Sequence, residues 1–494
     1  MNKHTSDSVP QAFVVESTLL QGIPFQHPQD AARCVRSIIS MSPQEELVFE
    51  FLPKLVKAVE QTGSPDLCLS QFERFLTAAQ NRARLMKFLT DNPRAVEILV
   101  RVFLNSQYLS QILFRIPDSI YQYTVREHLV ELKSREQYRD EALQAAEHEA
   151  NYQNRLNAFR RYQHEQILRL GTCDAFGLMD LKSVTVQLSL LADGLVQGCL
   201  SLIGQELGVS LDGFVVFACG KLGGEELNYS SDIDLLFLSD GDPTVFWSVG
   251  QKLIQALSNA SSEGFLYRVD MRLRPWGASG PLVNSVDAHV GYLKTDARHW
   301  ERQALLKARV IAGDQRVGAR FLKEIDRLIY HTSPDDLQEL IRQTKQDIEN
   351  KLREKGSSWG EVKSGSGSIR DVEFITQYLQ LKHARDRPEL RTFNTLEGLI
   401  RLAEFGVIRS DEYRQLSTGY LFLRNVEHAL QLMHNKQLHQ LPREEAALDL
   451  IALRLDFPSR EQFTQQYNSH SASIRKIFQT HLGTGDPEQT RSES

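Results

Sequence analysis

A chain of 494 residues is far longer than one hydrophobic core requires, so two or three domains are expected. Hydrophobic residues make up 41% and charged residues 24%, the balance of a soluble globular protein; a formal net charge of −6 excludes a global attraction to nucleic acid, though not a local basic pocket. Met1 to Pro10 is polar and lacks the apolar core of a signal peptide, and no apolar run is expected to approach a membrane span. The five cysteines (Cys34, Cys68, Cys173, Cys199, Cys219) form no C-x-x-C pair and read as reduced, buried thiols. A cytoplasmic protein with neither nucleic-acid nor membrane partners is predicted.

Residues 1–30 lack clear periodicity and are expected to be flexible. Residues 31–207 read as an N-terminal helical region. From Pro43 to Tyr123 apolar residues recur at three- and four-residue spacing, as in Leu47, Phe51, Leu52, Leu55 and Val56. Asn92-Pro93 reads as a helix start, with Asn92 as cap and Pro93 in the first turn. The charge-dense stretch 126–170 predicts long helices with a solvated face.

Residues 208–331 are the segment with strand character. The apolar run Phe214 to Ala218 predicts a buried strand that breaks into the Gly223-Gly224 turn. Asp232-Ile233-Asp234 then opens a second apolar run, expected as a strand over 233–238. A helix is predicted near 245–259 and a third strand over 264–273. Residues 332–482 read as a C-terminal helical bundle, and the helical stretch that starts near Val286 is expected to break at Gly313-Asp314, Thr332-Ser333-Pro334, Gly356-Ser357-Ser358 and Leu441-Pro442. Everything from about Val286 to Leu482 is expected to be helical between short turns. The tail 483–494 is expected to be disordered.

The chemistry concentrates between residues 214 and 274. On a strand, Asp232 and Asp234 point the same way, roughly 7 Å apart. Two carboxylates on one face repel unless a cation joins them, and Mg²⁺ favours carboxylates together with substrate phosphates. The third predicted strand would place Asp270, Arg268, Arg272 and Arg274 on one face, completing a three-carboxylate site for two metal ions, with Arg272 or Arg274 against phosphate. Glycines let backbone N–H groups approach phosphate oxygens. Neither G-x-x-x-x-G-K-[ST] nor G-x-G-x-x-G is present, which removes the P-loop and Rossmann alternatives.

Gly220-Lys221-Leu222-Gly223-Gly224-Glu225-Glu226-Leu227-Asn228-Tyr229-Ser230-Ser231-Asp232-Ile233-Asp234 resembles the glutamine synthetase adenylyltransferase (glutamate–ammonia ligase adenylyltransferase) family, as do the runs 267–277, Trp300 to Arg309 and Ser368 to Ile375. The resemblance extends from about residue 90 to 482. It implies an α/β chain, mostly helical overall, in which a polymerase-β-like nucleotidyltransferase domain is flanked by N-terminal helices and a C-terminal helical bundle. By the same resemblance Asp232, Asp234 and Asp270 would be catalytic and bind metal, with Gly223, Gly224 and Ser231 against the nucleotide phosphates; Lys221, Arg272 and Arg274 are the cations expected to meet phosphate. Mg²⁺, as two ions, and ATP, ADP or inorganic phosphate are the implied cofactor and substrates. The implied partners are glutamine synthetase, a PII-type signalling protein and a second adenylyltransferase copy on another chain.

Full-length family members carry two copies of the domain, one adding AMP to a tyrosine of glutamine synthetase and one removing it by phosphorolysis. This chain holds one copy. Arg268 to Pro275 followed by Gly280-Pro281-Leu282-Val283, and Tyr420 to Glu427 with Leu441-Pro442, resemble the N-terminal, adenylyl-removing copy. Removal is therefore the expected reaction, with ATP-dependent addition to glutamine synthetase or another protein as the first rival, and a non-catalytic regulatory scaffold as the second. In addition, Asp270 is the expected acceptor of the tyrosine proton. His428, His434 and His439 are not spaced as a metal set.

Overall fold

The structure, a computed structural model, describes residues 19–41, 44–123, 126–331, 336–357, 359–434 and 438–483. Most of the segment 1–30 expected to be flexible, the Thr332-Ser333-Pro334 break and the tail from 484 lie outside those residues. The chain divides into two compact units: Met1–Leu132, His164–Asp180 and Leu432–Asn435 form the first, and Lys133–Gln163, Leu181–Gln431 and Lys436–Ser494 the second.

The first unit is helical, as the three- and four-residue spacing predicts. Val48, Phe51, Leu52, Leu55 and Val56 of the helix Glu45–Glu60 are buried, and Phe72 meets Phe103 edge to face at 5.0 Å. Asn92 does precede the helix Pro93–Asn105. Its side chain caps nothing there, however, and donates instead to the Phe88 carbonyl at the end of the preceding helix.

In the second unit a five-stranded sheet carries the order β3-β2-β1-β5, with β4 also on β2. The strands are β1 (Phe214–Cys219), β2 (Ile233–Ser239), β3 (Val269–Asp270), β4 (Val283–Ser285) and β5 (Arg309–Gly313). β1 runs antiparallel to β2 and β5, whereas β3 and β4 run parallel to β2. β1 is buried along its whole length, which is why its six residues are uniformly apolar or small. The helix Trp247–Ser258 follows β2 as expected.

Two expectations are corrected. The third strand does not run over 264–273. Only Val269 and Asp270 pair with β2, because Met271–Gly280 folds into consecutive turns stapled by Arg274, which donates to the carbonyls of Met271, Ala278 and Gly280. Arg268, Asp270, Arg272 and Arg274 therefore do not share one strand face. In addition, the stretch after Val286 is not wholly helical: Arg309–Gly313 is β5, filling the free edge of β1.

The helix Leu181–Leu207 is the long apolar element that was not anticipated. It is 27 residues long, and an 18-residue window of it, at a mean hydropathy of 1.5, is apolar enough to cross a membrane, but 78% of that window is buried inside the protein. It is apolar all round because it is packed all round. The charge-dense helix Tyr152–Ala175 departs from its solvated reading too. Arg160 and Gln163 are buried, and they donate to the carbonyls of Ala256, Asn259 and Leu266. Such long polar side chains serve as caps for loop backbone that would otherwise be buried unsatisfied. All five cysteines are buried and unbridged.

Candidate active site

The register of the sheet brings the acidic residues together. Asp234 stands opposite Asp270 across the parallel pair β2 and β3, and Cys219 stands opposite Asp234 on β1. Asp232, two residues before Asp234, lies at the mouth of β2. Burial pushes the Asp234 carboxyl up to about 6, and the charges of Asp270 and Asp232 add to that. Asp270 behaves differently. Its partial burial would raise it, but hydrogen bonds from the Arg272 backbone N–H (2.8 Å) and guanidinium hold it below the ordinary carboxylate range. Asp232 Oδ1 accepts from Arg268 Nε at 2.5 Å.

Among the described residues no three His, Cys, Asp or Glu side chains converge at metal-ligand distance. The donor set nevertheless suits a hard divalent cation, since it consists of carboxylates whose mutual repulsion a cation would relieve. Arg272 and Arg268 now supply that positive charge. The Arg272 side chain is 82% exposed and so can yield its place on Asp270.

Asn228, Tyr229, Ser230 and Ser231 form the turn that delivers Asp232. This turn and the Gly220–Gly223 helical turn are held from below by side chains far along the chain. Glu427, on the helix Ser410–His434, is fully buried; it accepts from Lys221 Nζ and Asn228 Nδ2, both at 2.6 Å, and lies 3.0 Å from His439 Nδ1. Burial would raise the Glu427 carboxyl, but Lys221, His439 and Arg424 hold it well below its ordinary range. Burial in turn lowers the Lys221 ammonium to about 7, with Glu427 pulling the other way. Arg424 donates to the Glu226 carbonyl at 2.6 Å and to Asn228 Oδ1, which also meets His428 Nε2 at 2.8 Å. Gln431 Oε1 accepts from the Ser230 N–H.

A second set holds the glycines. Lys307 Nζ donates to Glu226 (2.6 Å), Glu373 (3.0 Å) and Thr395 (3.2 Å). Burial works against the Lys307 charge, yet Glu226 and Glu373 raise it above the ordinary lysine range, while Lys307 overcomes burial to bring Glu373 down to about 2. Arg309 clamps the Leu222 and Gly223 carbonyls and pairs with Asp193 inside the helix Leu181–Leu207. Asn394 donates to the Gly224 carbonyl at 2.9 Å.

Residues 96–324 match the family described as glutamate-ammonia ligase adenylyltransferase. The bifunctional glutamine synthetase adenylyltransferase/adenylyl-removing enzyme of Hahella chejuensis (strain KCTC 2396) is 34% identical over 347 residues, 65% of this chain and 36% of that protein. The chain thus spans about a third of the length of the curated relative it matches. Residues 336–482 match a second family, described as GlnD PII-uridylyltransferase.

The register places Asp234 opposite Asp270, with Asp232 at the mouth of β2, whereas the residues expected at phosphate are differently employed. Gly223 is a packing glycine: a Cβ there would lie 1.9 Å from the Lys307 carbonyl oxygen. The Gly224 N–H is spent on the Gly220 carbonyl, and the Ser231 N–H on that of Asn228. Ser231 Oγ accepts from the Asn228 N–H, leaving its own hydroxyl proton for a ligand. Lys221, Arg272 and Arg274 are engaged by Glu427, Asp270 and backbone carbonyls respectively. Sequence reasoning missed Gly220, Arg424 and Glu427 as builders of the site; their one signal was membership of runs that resemble the family, whereas His428 was considered only as a metal ligand.

Proposed function

We propose that this chain catalyses metal-dependent adenylyl transfer on a tyrosine of glutamine synthetase, in the removing direction. The observation that carries the reading is the in-register Asp234–Asp270 pair beside Asp232, on a turn immobilised by buried ion pairs. In removal, an oxygen of inorganic phosphate attacks the α-phosphorus of tyrosyl-AMP. The bond from phosphorus to the tyrosine oxygen breaks, ADP forms, and the proton of the hydrogen phosphate ends on the tyrosine.

Asp232, Asp234 and Asp270 are the residues that would hold Mg²⁺, as two ions, which supplies charge to both the entering and the leaving oxygen when bound. The buried network under Lys221 and Asn228 keeps the carboxylates in place, so that little reorganisation is needed at the moment of reaction. The depressed Asp270 suits a metal ligand better than a proton acceptor. Arg272 is free to follow the phosphate once a cation replaces it on Asp270. Ser231 and the exposed face of the Gly223-Gly224 turn are the proposed nucleotide contacts. Residues 336–482 are the proposed docking segment for a PII-type signalling protein, on the strength of the second family match. The cytoplasm is the proposed location.

The similarity of 268–283 to the adenylyl-removing copy favours removal. ATP-dependent addition remains the second reading, since the relative's name carries both activities. A two-arm assay with Mg²⁺ separates them. One arm offers adenylylated glutamine synthetase and inorganic phosphate and follows ADP; the other offers unmodified enzyme and labelled ATP and follows AMP incorporation. ADP release alone is the expected result, and incorporation alone would reverse the direction.

A further inference from the structure

A transferred phosphate needs a cation that is not already neutralised. Each cation considered so far is engaged: Lys221 by Glu427, Arg268 by Asp232, Arg272 by Asp270, Lys307 by Glu226 and Glu373, Arg309 by Asp193, and Arg274 by the carbonyls of Met271, Ala278 and Gly280. Lys363 differs. Its ammonium makes neither an ion pair nor a hydrogen bond among the described residues, although its charge also acts on Glu361.

Its loop is tightly fixed. The Val362 N–H donates to the His439 carbonyl at 2.7 Å, and the Ile369 N–H to the Val362 carbonyl at 3.0 Å. The N–H groups of Lys363 and Ser364 both reach Glu361 Oε1 at 3.2 Å, and the Lys363 carbonyl accepts from the Arg370 N–H at 3.0 Å. His439, which anchors Val362, also lies 3.0 Å from the Glu427 carboxylate that holds Lys221 and Asn228. A short bonded path therefore ties the Lys363 backbone to the turn that delivers the aspartates. The charges agree with this placement. Burial raises the Asp234 carboxyl, the Lys363 charge works against that rise, and the same charge acts on Lys221.

We propose that Lys363 is a phosphate-binding residue of this site, its ammonium taking an oxygen of the phosphate that becomes the β-phosphate of ADP. The inference rests on the adenylyl-removing reading and adds to it the residue that recognises the attacking phosphate. It also gives the segment 336–482 a part inside the active site.

The test compares the full chain with Lys363→Gln, Lys363→Ala and Lys363→Arg. Circular-dichroism melting identifies the variants that fold. With saturating adenylylated glutamine synthetase, the KM for inorganic phosphate should rise about tenfold or more in Lys363→Gln and recover largely in Lys363→Arg, while the KM for the protein substrate stays put. Equilibrium dialysis supplies a readout without turnover. Lys363→Gln should bind Mg·ADP about fivefold or more weakly and AMP as the parent chain does, because AMP lacks the β-phosphate. An unchanged phosphate KM together with unchanged ADP affinity in a folded variant would overturn the inference. A parent chain that releases no ADP would sink the adenylyl-removing reading instead, and the ADP-against-AMP comparison would still decide the role of Lys363.

Discussion

Gly220 closes over Asp234 with no room for a side chain. A Cβ built on Gly220 would lie 2.1 Å from Asp234 Oδ2, and Gly220 sits at φ +55°, where other residues are strained. Gly220→Ala must therefore move the Asp234 carboxylate. Turnover is expected to fall at least about 100-fold with a stability loss of about 1–2 kcal/mol. Gly223→Ala meets backbone rather than a side chain, so its loss of stability should be larger, about 3 kcal/mol or more. Urea unfolding and turnover measured on both variants check the contrast.

Asp234 carries a stability cost at neutral pH. Its folded carboxyl titrates near 6, above the usual value of about 3.9. Stability tied to the protonated form is complete below the unfolded value and is lost as pH rises through 6. In chelator at pH 7.5, Asp234→Asn is expected to be more stable than the parent by about 1–2 kcal/mol, after allowance for residual solvent screening. At pH 4.5 the advantage should shrink towards zero. Thermal melts at the two pH values test this, and an equal or lower melting temperature at pH 7.5 would contradict it.

Glu427 is predicted to be a positioning residue. Glu427→Gln keeps the shape but leaves Lys221 and Arg424 buried without their carboxylate. Removing one member of a buried pair typically costs about 3–5 kcal/mol. The denaturation midpoint should fall accordingly. Protein that remains folded at low temperature should lose kcat, while KM for the protein substrate changes little.

His289 sets an acid limit unrelated to the chemistry. It packs edge-on against Phe321 at 5.2 Å, its Nδ1 has no hydrogen-bond partner, and burial lowers it to about 4. A depressed histidine contributes stability above about 6.5 that is lost as pH falls towards 4. Between pH 7 and pH 5 this single group should cost about 2 kcal/mol. His289→Phe should flatten that limb of the pH–stability curve in urea titrations.

The acidic core of the site was legible because it is local in sequence: an apolar run, a glycine turn and Asp232-Ile233-Asp234 state two paired strands directly. β5 escaped notice because Val310-Ile311-Ala312 is too short an apolar run to distinguish from a buried helical turn. Arg272 and Arg274 were placed on a strand because alternation was read without the turn that Arg274 itself staples. The support under the site was illegible for a different reason. Glu427 lies 206 residues from Lys221, and no spacing rule links them. Lys363 was hidden in the same way, as one charged residue beside a Gly-Ser loop.

The central claim is cation-dependent removal of AMP at Asp234. Its most direct measurement is ADP release from adenylylated glutamine synthetase and inorganic phosphate, by the parent chain with Mg²⁺, by the same chain in chelator, and by Asp234→Asn. Release confined to the parent chain with Mg²⁺ is predicted. Release that survives both chelation and Asp234→Asn would contradict the account.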